Sequence, residues 1–139
     1  MSGLVLADVV MRLTGLPFAT VGGAQDYAGL AALPGRLPAA YVVPAGLRAQ
    51  PNRLNGKIDQ RVSREFAVVI IVAGRRAGAA AQADELQLLE DAVIKALLGW
   101  QPEGVSGPIE LVSGQVLSVE GTAFTWALRC TAPYHIRTD

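Results

Sequence analysis

The sequence predicts a single α+β domain over residues 1–139: a mainly antiparallel β-sheet with helices packed mostly on one face. Three observations carry that prediction. Helix and strand signals follow in the order α-β-α-β-β-α-β-β, which holds two pairs of neighbouring strands. The segment Val62–Val72 is apolar on both faces from Phe66 onward, so it belongs in the middle of a sheet covered on both sides. The last third reads as a hairpin, Ile109–Val119 and Thr122–Ile136 around a Glu120-Gly121 turn.

The elements follow in order. Leu6, Val9, Val10 and Leu13 recur at helical spacing, Ser2 is placed to cap that helix, and Gly15 with Pro17 ends it. Phe18–Val21 is a short extended piece closed by Gly22-Gly23, and Gln25–Leu33 is a short helix stopped by Pro34-Gly35. Ala39–Val43 is a strand bounded by Pro38 and Pro44, which suggests an edge or a strand limited by its prolines.

A long polar connection over about 44–61 leads to Val62–Val72. One face of that strand reads Val62, Arg64, Phe66, Val68, Ile70, Val72; the other reads Ser63, Glu65, Ala67, Val69, Ile71, Ala73. One cover for it is the helix Ala81–Leu98, and the other is a second helix of the chain or a neighbouring subunit. That helix lines up Leu86, Leu89, Val93, Leu97 and Trp100, with Leu88, Ile94 and Leu98 widening the stripe. Asp84 and Glu85 fall in its expected first turn, Asp91 and Lys95 form an i,i+4 pair, and Gly99 and Pro102 end it. In the last strand Phe124, Trp126, Leu128, Cys130, Ala132 and Tyr134 share one face. Ala123, Thr125, Ala127, Arg129 and Thr131 share the other, where small residues suit solvent or close packing by another chain.

Composition narrows the function. The chain is 51% hydrophobic and only 17% charged, which points to apolar surface covered by another subunit. Twelve basic residues balance twelve acidic ones, so no net field draws nucleic acid. The charges are nonetheless separated. Arg48, Arg53, Lys57, Arg61, Arg64, Arg75 and Arg76 crowd the middle, and Asp84, Glu85, Glu90, Asp91, Glu103, Glu110 and Glu120 follow. Two readings of this separation stand side by side: in a head-to-tail assembly the two regions meet across each interface, or they are two solvated surfaces that never touch. Cys130 is the only cysteine, no apolar run is long enough to span a bilayer, and the start carries Asp8 without a basic leader. These features suit synthesis in the cytosol.

No catalytic constellation emerges. His135 and Cys130 are single and have no companion ligands for a metal. Gly104–Pro108 (GVSGP) has proline where a nucleophile elbow needs its second glycine, and it joins a helix to a strand. VGG at Val21–Gly23 lacks the further glycine of a dinucleotide loop, and no GK[ST] phosphate loop exists. The expectation is a non-enzyme without cofactor or metal.

The stretches LPAAYVVP, PNRL with QRVSREF, and LLGWQP, set among VGGAQDYAGL, VVIIV and the final strand pair, resemble the tail terminator proteins of long-tailed bacteriophages and Mu-like prophages. The likeness runs from about Phe18 to Arg137. It implies an α+β fold and a structural virion protein that forms a hexameric ring on the head-proximal end of the tail tube. Such a ring ends tube polymerisation and provides the surface that joins the head connector, with DNA passing through it. Its partners are then further copies of the chain, the tail tube protein and the connector, assembled in the host bacterial cytoplasm. Under that likeness Arg48, Arg53, Lys57, Arg61 and Arg64 belong to an assembly or lumen contact surface. Two other readings stand beside it: another neck or head-completion protein, and a small cytosolic enzyme or ligand-binding domain.

Overall fold

A computed structural model of the chain describes residues 3–30, 36–73, 79–120 and 123–138. The elements follow in the expected order: α1 (Leu6–Leu13), β1 (Thr20–Gly22), α2 (Ala24–Ala28), β2 (Ala39–Ala49), β3 (Asp59–Ala73), α3 (Ala79–Leu97), β4 (Glu110–Glu120) and β5 (Ala123–Arg137). They form one domain around a sheet of order β1-β2-β3-β5-β4. Only the short β1 runs parallel to its neighbour; the pairs β2–β3, β3–β5 and β4–β5 are antiparallel. The α+β expectation holds. Residues 31–35, Arg75, Arg76 and Gly121 lie outside the described residues, and so does the Glu120-Gly121 turn. Ser2 does not cap α1, which begins at Leu6 with Val5 at its N-cap and no side-chain cap, and α2 ends at Ala28 with Gly29 at its C-cap, short of the expected Leu33 and of a stop at Pro34-Gly35.

β3 owes its central place to its apolar sequence. Phe66, Val68, Ile70 and Val72 face a core closed by Val9 and Leu13 of α1 and by Leu89, Val93 and Leu97 of α3. Arg12 fastens these helices together, lying 4.4 Å over the Trp100 ring and donating from Nε to the Ala96 carbonyl. On the opposite face Val69 and Ile71 join Ala39, Tyr41 and Ala123, with Tyr27 and Leu30 packed against them. The Tyr27 and Tyr41 rings are 5.6 Å apart. α2 rests on β1 and β2, so on this face β3 is covered only in part, by Tyr27 and Leu30, and Ala67 and Val69 line a cleft of about 270 Å³ with Val43, Ala127 and Arg129. The start of α2 is held by the Gly23 N–H donating to Asp26 Oδ2 at 2.9 Å. Cys130 is buried in the main core, where desolvation pushes its thiol up to about 11; it is a packing residue.

Three further expectations need correction. β2 does not stop at Pro44. It pairs with β3 as far as Ala49, with the register shifting between Pro44 and Gly46. Proline lacks a ladder N–H, and the bulge at that point accommodates it while the strand goes on. The connection is therefore residues 50–58 and not 44–61. Next, α3 begins at Ala79, so Asp84 and Glu85 sit beyond its first turn, where the helix dipole acts less. Finally, Leu88 does not widen the apolar stripe: it is 71% exposed on the far side of α3.

Candidate assembly surface

The β2–β3 connection is an ordered turn tied to its own strands. Asn52 organises it: Nδ2 donates to the carbonyls of Leu54 (2.9 Å) and Lys57 (2.7 Å), and Oδ1 accepts from the Asp59 N–H at 2.7 Å. Gly56 takes φ +76°, a left-handed conformation that glycine adopts without strain. Below the turn the Gln50 N–H donates to the Arg61 carbonyl at 2.9 Å, and Ile58 and Thr138 bond mutually at 3.1 and 2.9 Å. Asn52→Ala removes three of these bonds. It is expected to cost about 2 kcal/mol in urea unfolding and to speed proteolysis within residues 50–58.

Strand alternation decides where the basic residues go. Arg53 and Lys57 are exposed on the turn, and Arg61 is exposed near the start of β3. Arg48 and Arg61 lie on the sheet face away from α1 and α3. Arg64 does not join them. It pairs with Leu47 and Ala132, points to the other face and is half-buried. Of the five residues read as one surface, Arg48, Arg53, Lys57 and Arg61 cluster at this end, and Arg64 stands apart.

The same end holds groups that sequence spacing did not reveal. Asp59 Oδ1 lies 3.2 Å from His135 Nδ1 and 3.5 Å from Arg137 Nε. A cleft of about 430 Å³ opens there, lined by Gln50, Arg53, Leu54, Asp59, Arg61 and His135. Six residues further along β3, the Glu65 carboxylate is nearly buried between Arg129 Nη2 at 3.1 Å and Arg48 Nε at 3.5 Å. Arg129 Nη2 also donates to the Ala45 carbonyl, turned out by the β2 bulge, at 2.9 Å. Arg129 Nε is buried without a hydrogen-bond partner. These contacts join β2, β3 and β5, residues far apart in sequence, so the register had to be known before they could be seen. The one legible signal was Arg129 standing alone among Ala123, Thr125 and Ala127 on its strand face.

The surface suits acidic side chains or phosphates. Its one cleft carboxylate is already engaged by His135 and Arg137, which leaves Arg53, Lys57 and Arg61 to meet a partner. Among the described residues no cluster of three or more His, Cys, Asp and Glu could hold a metal, and no helix is long and apolar enough to cross a membrane. The later acidic groups Asp84, Glu85, Asp91, Glu103 and Glu110 are exposed. Ion pairs among the described residues use only Glu65 and Asp59 as acids, so the acidic region does not neutralise the basic end within the chain.

Comparison with known proteins accords with a structural surface of this kind. No curated protein matches the sequence. The family model for phage tail terminator protein matches residues 5–139, essentially the whole chain. The chain belongs to the phage tail terminator family, and it is a structural component of a bacteriophage tail.

Proposed function

We propose that the protein closes the head-proximal end of the tail tube as a homo-oligomeric ring, hexameric by likeness to other terminators. The ring ends addition of tube protein and offers the surface that the head–tail connector joins. The observation that carries this reading is the family match over residues 5–139, set on a fold whose basic end and later acidic groups form no ion pair with one another among the described residues. The basic turn with Arg53, Lys57 and Arg61, flanked by Arg48, meets acidic groups of the tube or connector. It also screens phosphates of DNA passing through the bore, a sequence-independent role.

The test is Arg53→Gln/Lys57→Gln/Arg61→Gln. All three positions are exposed, so the fold is expected to survive, as read by circular dichroism and thermal unfolding. Three exposed contacts of up to about 1 kcal/mol each lower tube capping and head joining by roughly tenfold or more. Normal tail length and normal joining in this variant would show that the turn makes no such contact.

A further inference from the structure

The two sides of the sheet are built differently. β4 forms one edge of the described sheet, and Leu111, Val112, Val116, Leu117 and Val119 along it are all exposed large apolar residues. Long apolar edges invite pairing with another chain, and proteins that stay monomeric blunt them. On the opposite side β1 pairs only with Ala39, Ala40 and Tyr41 of β2. The stretch Val43–Ala49 continues past it with no strand outside it among the described residues, and Leu47 there is 52% exposed.

Direction and charge fit these two edges to each other. β2, β3, β5 and β4 alternate in direction across the sheet, so β4 runs opposite to β2. A second copy continuing the same sheet sets its β2 antiparallel to β4, with the start of β4 beside the end of β2. Glu110, which opens β4, lies through the Thr131–Glu65–Gly46 row at the level of Gly46, and a stagger of two residues between the copies sets it opposite Arg48, near the end of β2. Both point to the same sheet face, because Glu110 pairs with Thr131, Arg48 pairs with Ser63, and Ser63 and Thr131 share a face of the β3–β5 ladder. In that one register the next pair is Leu111 with Leu47, both exposed and both on the opposite face. The bulge after Leu111 and the bulge after Pro44 also come within a residue of each other, so the strands bend at a common level. Arg48 is free to serve two carboxylates: its side chain is 81% exposed although Nε lies 3.5 Å from Glu65.

We infer that the start of β4 pairs antiparallel with the Gly46–Ala49 end of β2 in the next copy, with Glu110 against Arg48 and Leu111 against Leu47, and that this contact joins the subunits of the ring. The contact is heterologous, since two different edges meet, and repeated rotation closes it into a ring. The inference rests on the ring reading above and names the surfaces that build it.

The test is a cysteine pair, Leu47→Cys/Leu111→Cys, in the full chain, oxidised after assembly on tubes of the tail protein from the same gene cluster. Facing residues of antiparallel strands lie within disulfide reach, and every variant also carries Cys130→Ala, because Cys130 faces Leu111 across the β4–β5 pair and would otherwise compete for the new thiol. The expected result is a covalent ladder, on gels without reductant, that ends at the closed ring, with each single-cysteine variant giving none. A charge swap reads the same contact independently. Glu110→Arg or Arg48→Glu alone is expected to lower ring yield by tenfold or more, and the two together restore it. Tubes capped normally by the double-cysteine protein without cross-links, or a charge swap that restores nothing, would overturn this interface and leave the terminator reading intact. A full ladder from a protein that never caps tubes would uphold the interface and overturn that reading.

Discussion

Phe66→Ala is expected to destabilise the folded chain by roughly 3–5 kcal/mol, the largest effect of any single change considered. Phe66 has no exposed surface and sits on the central strand between Pro44 of β2 and Cys130 of β5, facing α1 and α3. Removing the ring takes away its transfer energy and leaves a cavity among side chains already held from both sides, with little room to collapse. For a domain of this length the midpoint of thermal unfolding falls by roughly 15 °C, read at fixed protein concentration because self-association adds to apparent stability. Leu88→Ala on the solvent side of α3 is the matched control, with an expected change within about 0.5 kcal/mol. Equal costs at the two positions would mean that the core is not centred on β3.

The second large effect is at Glu65. Glu65→Ala leaves Arg129 with the Ala45 carbonyl alone, its Nε already unpartnered, and frees Arg48. Breaking a fully buried pair costs more, but Arg129 is 43% exposed and water reaches it, so the expected loss is about 2 kcal/mol. An apolar replacement of both partners, Glu65→Met/Arg129→Leu, is expected to recover most of that loss, because it leaves no stranded charge. Urea unfolding of Glu65→Met, Arg129→Leu and the double variant measures the coupling. A double variant as unstable as the sum of the singles would show that Glu65 and Arg129 act separately.

Much of the fold could be read from periodicity. The doubly apolar half of β3 placed it in the middle of the sheet, and the clean alternation of β5 assigned both its faces before any coordinates were known. The end of β2 was misread because Pro44 usually closes a strand; whether a bulge absorbs it depends on the partner strand. Arg64 was grouped with its neighbours in sequence, although the two-residue period sends it to the other face. The ionic groups around Asp59 and Glu65 were out of reach for a different reason. They depend on Arg48, Arg129, His135 and Arg137 arriving from other strands, and single-strand patterns carry no register. The family likeness came from extended stretches such as LPAAYVVP and LLGWQP, which report the fold and its assembly role without marking which residues make contact.

The central claim is that this protein ends the tail tube. Electron micrographs of particles made without it, and again with the wild-type protein supplied in trans, test that most directly. Overlong or irregular tubes that remain unjoined to heads, restored to uniform length by the supplied protein, are the expected result. Tubes of normal, uniform length without it would contradict the claim, and if they failed only to join heads the protein would be a connector component instead.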